Sequence, residues 1–203
     1  HLFAGCDALV AMLGKVTRLN VVITDVRTFT EDDFESYKSL LGKLSEEVER
    51  LYVSGSSPQL NLLTDRMLLD QMNNCGAGET TITLAPDGRF YVCPAFYQSA
   101  GGYAVGNLEH GLDIKNQQLY RLDHAPICRN CDAWQCRRCV WLNRLTTLEV
   151  NTPSHEQCVV AHLERNASRE LLASIRRHDT FLPNKEEIKE IDYLDPFEKR
   201  SDW

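Results

Sequence analysis

The chain has 203 residues, 43% of them hydrophobic, and a formal charge of -7 from 22 basic and 29 acidic side chains. That length and apolar content suit one large domain or two small ones with a buried core, and the acidic balance excludes a general nucleic-acid backbone binder, which needs a basic face. No apolar run approaches the roughly 18 residues of a membrane span and no secretory n-region and h-region open the chain, so the sequence reads as cytoplasmic, with no nucleic-acid or membrane partner. It begins with His1 rather than Met, which points to a piece of a longer polypeptide.

Residues 7–16 read as a short helix. Residues 19–26, LNVVITDV, form a β-branched run of the kind seen in a strand buried on both faces. Thr30 and Asp33 make a capping box. Behind it Phe34, Tyr37, Leu40, Leu41, Leu44, Val48 and Leu51 recur at helical spacing, a core stripe rather than a partner-binding zipper. Gly55 to Pro58 break the pattern, residues 60–63 suit a second strand, and Thr64 or Asp65 caps a helix running to Met72. Strand, helix, strand, helix implies a parallel sheet with crossover helices. Two such units are too few to close a barrel, so residues 1–74 read as an α/β fragment of one.

After Asn74 the character changes. Residues 80–85 and 89–92 alternate around Pro86-Asp87-Gly88, a hairpin signal in which Pro sets φ and Gly takes the left-handed residue. Val105 to Leu108 suit a third short strand. Residues 128–158 carry little periodicity, so their order must come from something other than an apolar core. From Cys158 the pattern is helical again, with Val159, Val160, Leu163, Ala167, Leu171, Leu172 and Ile175 on one side. Residues 179–203, charged and containing Pro183 and Pro196, read as an irregular tail.

Of eight cysteines, all but Cys6 fall at or after Cys75. In a reducing compartment such clustering points to metal rather than disulfides. Cys75 is followed by twelve residues, Gly88, four more residues and Cys93; Cys128 and Cys131 form one C-x2-C, and Cys136 and Cys139 another four residues later. Thiolates on tight turns suit zinc or iron–sulfur clusters. A zinc ribbon separates its knuckles by a dozen or more residues. One zinc on Cys128, Cys131, Cys136 and Cys139 is therefore cramped, and it leaves Cys75, Cys93 and Cys158 unexplained. Two clusters use more of the inventory: Cys128, Cys131 and Cys136 with Cys158, and Cys139 beside Cys75 and Cys93. Such interleaving occurs in two-cluster ferredoxins.

This order of residues resembles the SPASM domain of radical S-adenosylmethionine (SAM) peptide-modifying enzymes: a cysteine, a spacer, Gly-x4-Cys, a gap, a four-cysteine run and a late final cysteine. The likeness covers about half the chain, from Cys75 to the final helix. It implies terminal β/α units of a partial radical SAM barrel in residues 1–74, an α+β, cysteine-rich SPASM domain with a β-hairpin and a C-terminal helix in residues 75–178, and a charged tail in residues 179–203. Asn73 to Gly78 sit where the family enters the domain. The implied cofactors are two auxiliary 4Fe–4S clusters, the first on Cys75, Cys93 and Cys139 and the second on Cys128, Cys131, Cys136 and Cys158. The chain is similar in particular to maturases paired with CXXX-repeat peptides.

Three departures accompany the likeness. The family's run is C-x2-C-x5-C-x3-C, and here each of the last two gaps is one residue shorter. The extra cysteine that completes the first cluster in some members is missing from Gly76 to Thr81, which leaves a position that some members use for substrate. The C-x3-C-x2-C that holds the SAM cluster is absent, with His124 standing ahead of Cys128 and Cys131 where it would be completed. This chain alone is not expected to cleave SAM; SAM and its cluster belong to an N-terminal half.

Other candidates have bland readings. Cys6 suits a buried inert thiol. His110, His124 and His155 could each fill the open ligand position, but loop histidines are more often surface residues. Arg129, Arg137 and Arg138 either offset cluster charge or face solvent. Trp134 and Trp141 suit packing around the site, and Asp25 and Asp65 end the expected strands. The resemblance thus implies the auxiliary-cluster region of an enzyme that modifies a ribosomal peptide, with thioether formation at a cysteine as one reaction. Its partners would be the N-terminal radical SAM half, the precursor peptide and a redox donor such as ferredoxin or flavodoxin. The alternative is a zinc-stabilised, non-catalytic peptide- or protein-binding module.

Overall fold

The structure is a computed structural model that describes residues 5–99 and 102–190. In chain order the elements are α1 (Cys6–Leu13), β1 (Arg18–Leu19), α2 (Glu31–Val53), β2 (Gln59–Leu60), α3 (Thr64–Leu68), β3 (Thr83–Leu84), β4 (Phe90–Tyr91), α4 (Pro94–Gln98), β5 (Gly106–Asn107), β6 (Gly111–Leu112), α5 (Val140–Thr147) and α6 (His155–His178), with short 3-10 turns between some of them. They form two units. Of the described residues, the first takes in those up to Asp70, Ala133–Gln135 and those from His155; the second takes in those of Gln71–Asp132 and Cys136–Ser154. The final helix, grouped by sequence with residues 75–178, therefore belongs with the N-terminal elements.

In the first unit the expected capping box forms. The Asp33 amide donates to Thr30 Oγ1, and the Thr30 amide donates to Asp33 Oδ2 at 2.8 Å. All seven stripe residues of α2, from Phe34 to Leu51, are buried, and α2 packs against α6. The strand expected over residues 19–26 is much shorter. Only Arg18 and Leu19 pair, in parallel, with Gln59 and Leu60. Beyond them the Asn61 side-chain amide takes both backbone groups of Val21, at 2.8 and 2.9 Å, and ends the ladder. Val22 is 77% exposed and Val26 is buried in a 3-10 turn. A β-branched run becomes a long strand only where a neighbour offers a ladder along its length. The parallel pair has two strands and no closed barrel is formed among the described residues.

The helix α6 starts at His155, before Cys158, and its buried face is turned from the expected one. Val159, Leu163 and Ala167 are half-buried, whereas Glu164, Arg165 and Ser168 are buried with Val160, Leu171, Leu172 and Ile175. These polar groups are satisfied. Tyr37 donates to Glu164 at 2.7 Å and Ser168 donates to the Leu63 carbonyl. The helix ends where Arg176 donates to the carbonyls of Phe181, Leu182 and Lys185, so residues 179–190 fold back as a cap without regular structure. The rest of the expected tail, with Pro196, lies outside the described residues. No described helix is long and apolar enough to cross a membrane.

In the second unit β3 and β4 pair antiparallel around the expected turn, where the Gly88 amide donates to the Ala85 carbonyl and Gly88 has φ of 75°. The third strand is Gly106–Asn107, and a fourth, β6, completes a second hairpin. The Val105 amide reaches the Phe90 carbonyl at 2.7 Å and joins the hairpins. Ala77, Ala85, Tyr91, Val92, Phe96 and Val140 form the core, with Cys93 and Trp141 packed against it. The helices α4 and α5, unmarked by periodicity in the sequence, follow directly from Cys93 and Cys139, which are their N-cap residues.

Candidate functional site

Cys93 lies in the second unit with Cys75 and Cys139 near enough to act on it. It precedes α4, whose first residue Pro94 needs no hydrogen-bond acceptor for its nitrogen. The Cys93 side chain makes no capping hydrogen bond, and the Phe96 amide donates to the Cys93 carbonyl at 3.1 Å, but the amides of Ala95 and Phe96 lie near enough to favour negative charge on the sulfur. Burial pushes this thiol up, those two amides pull it down, and charge on Cys139 and Cys75 pushes it up again. Cys75 and Cys139, from distant parts of the chain, thus each lie within electrostatic reach of Cys93. Cys75 and Cys139 are exposed and Cys93 is half-buried.

Tyr120 borders this group. Burial raises its hydroxyl, with the charge of Arg144 lowering it and that of Cys93 raising it. Its ring lies against the turn after Cys75: a Cβ on Gly78, where φ is +80°, would stand 2.5 Å from the ring. Glycine is therefore required there both by the backbone and by the space.

The second expected set is divided. Cys128 opens a 3-10 turn, Cys128–Asn130, and the Cys131 amide donates to its carbonyl at 3.1 Å, so the first C-x2-C forms a tight turn. Burial pushes the Cys128 thiol up to about 11, charge on Cys131 adds to this, and Arg138 opposes it. Cys136 is half-buried in the same unit. Cys158 is buried in the first turn of α6, in the first unit.

Among the described residues no three His, Cys, Asp or Glu side chains converge closely enough to hold a single metal ion. A tetrahedral zinc with Zn–S bonds of about 2.3 Å draws its thiolates to within ~3.8 Å of one another. A cuboidal iron–sulfur cluster sets one iron behind each thiolate and holds the sulfurs farther apart. The donor chemistry of Cys75, Cys93 and Cys139, three thiols, suits either group.

The remaining candidates sort by environment. His124 and His110 are exposed, their rings bonded to Asp123 at 2.9 Å and Asn107 at 3.1 Å. His155 lies edge-on to Phe34 in the first unit. Arg129 and Arg137 are exposed, whereas Arg138 is 2% exposed. Trp141 meets Phe96 edge-on at 5.0 Å in the core of the second unit, and Trp134 stacks under Arg66 at 3.9 Å in the first. Asp65 pairs with Arg18 at 2.8 Å, Asp25 is exposed, and Cys6 is buried in α1.

Sequence reasoning missed two groups. Tyr120 carries no local signal. Glu164 does carry one, falling on the same helical face as Val160, Ser168 and Leu171. It is buried against Tyr37 and Gln135, and burial raises it to about 7, with those two hydrogen bonds opposing and Asp65 adding. No family model matches the chain, and no curated protein matches it.

Proposed function

We propose that the chain is the auxiliary-cluster region of a cytoplasmic radical SAM enzyme that modifies a ribosomal peptide. The observation that carries this reading is that Cys75 and Cys139 both lie within electrostatic reach of Cys93, which opens α4. The spacing of the whole cysteine series supports it. Bound there, a 4Fe–4S cluster supplies a one-electron store whose potential follows from ligands, nearby amides and burial. Cys75, Cys93 and Cys139 would hold one cluster, and Cys128, Cys131 and Cys136 would contribute ligands to the other.

The chain's own groups serve such a role in plain ways. The Ala95 and Phe96 amides stabilise charge on the Cys93 sulfur. Phe96, Trp141 and Tyr103 stack edge-on around α4 and keep water from its buried side. Cys75 and Cys139 are exposed, and a peptide thiol would reach the site there. The N-terminal radical SAM half, the precursor peptide and a ferredoxin- or flavodoxin-like donor are the partners this reading requires.

The test is oxygen-free reconstitution followed by iron and sulfide analysis. A brown chain with about eight iron and eight sulfide is expected, with about half lost in Cys93→Ser. A colourless chain that takes up stoichiometric zinc and no sulfide would overturn the proposal in favour of a zinc-stabilised module.

A further inference from the structure

Arg138 lies between Cys136 and Cys139 and is among the largest fully buried side chains of the protein. Its backbone is left-handed, with φ of 47°, a conformation uncommon outside glycine and held only when the surroundings impose it. The guanidinium supplies what imposes it. Nε and Nη2 donate to Asn74 Oδ1 at 3.4 and 3.3 Å, Nη1 donates to the Arg121 carbonyl at 3.3 Å, and Nη2 donates to the Tyr120 carbonyl.

Every one of those partners is neutral. A buried cation costs several kcal/mol unless an opposite charge lies close, and no carboxylate among the described residues pairs with Arg138. Thiols able to carry negative charge lie close by: Cys128, whose thiolate Arg138 favours, and its sequence neighbours Cys136 and Cys139. Arg138 also binds the residue before Cys75. One side chain therefore ties together the two stretches that carry Cys75 and Cys139.

We infer that Arg138 is a positioning residue with two tasks: its buried charge balances the negative group held by the thiolates, and its bonds to Asn74 and to the 120–121 carbonyls fix Cys75 relative to Cys139. This rests on the cluster reading. Arg129 and Arg137, equally close in sequence, are exposed and do neither.

The two tasks separate by mutation of the reconstituted chain. Arg138→Lys keeps the charge and gives up the fork; Arg138→Met removes both; Asn74→Ala removes one tie and no charge. Removing a buried positive charge disfavours the electron-rich state, so the midpoint potential of Arg138→Met is expected below that of the parent. Arg138→Lys and Asn74→Ala should keep the parental potential while releasing iron to a chelator about 10-fold faster, the scale of supporting-shell losses. Circular dichroism reports folding, and if Arg138→Met does not fold, the lysine and alanine variants still test the tie. Parental potential and iron retention in a folded Arg138→Met, or parental retention in both other variants, would overturn the inference alone. A parent chain that takes up no iron and sulfide would instead overturn the cluster reading, and this inference with it.

Discussion

The two units hold themselves together in different ways. The first is built on α2 and α6, 23 and 24 residues long, each burying a continuous face. The second has strands of two residues, and its longest helix, α5, has eight. Long amphipathic helices gain stability residue by residue from apolar burial. Short elements do not, and the second unit compensates with side chains that bridge its loops: Asn143 to the Val150 carbonyl at 3.0 Å, Asn151 to the His124 carbonyl at 2.7 Å, and Arg138 to three acceptors. A packed core can be diluted by one substitution and survive. On the proposed reading, a loop network around thiols depends on the cluster those thiols would hold.

Three substitutions test this contrast. The largest effect is expected for Leu44→Ala, fully buried on α2. It should cost about 2–5 kcal/mol in denaturant unfolding of the first unit while leaving iron content under native conditions unchanged. The next comes from Glu164, held near pKa 7 against an ordinary 4.5. The folded state binds its proton more tightly than the unfolded state does, so the stabilisation is complete below about pH 4.5. It declines as pH rises and is lost above about pH 7. The swing is on the order of 3 kcal/mol, and Glu164→Gln should flatten it in urea melts taken between those limits. Smallest is Gly78→Ala in the second unit, where the new methyl meets Tyr120 and the backbone is left-handed. It should cost about 1–3 kcal/mol and, unlike Leu44→Ala, speed iron release.

Legibility in the sequence divides along the same line. The α2 stripe, the Thr30–Asp33 box and the Pro86-Asp87-Gly88 hairpin are local patterns, and each is found where residues a few positions apart predict it. The run at 19–26 reads as a strand because its composition is right, but whether a neighbour lies alongside is not a local property. The face of α6 was misjudged for a related reason: Glu164 and Ser168 are buried because Tyr37 and Leu63, more than a hundred residues earlier, accept or donate to them. At the site, the thiols announce themselves by spacing, whereas the company each keeps depends on the fold. Arg138 is indistinguishable in sequence from Arg129 and Arg137, and only burial separates it.

The central claim is that a group bound by thiolates orders the cysteine-bearing loops of the second unit. Hydrogen exchange on the oxygen-free chain, before and after iron and sulfide are stripped, tests it most directly. Amides from Cys75 to Gly78 and from Cys128 to Cys139 should lose protection on stripping, while those of α2 and α6 keep theirs. Equal protection of those loops in the loaded and the stripped chain would contradict the account.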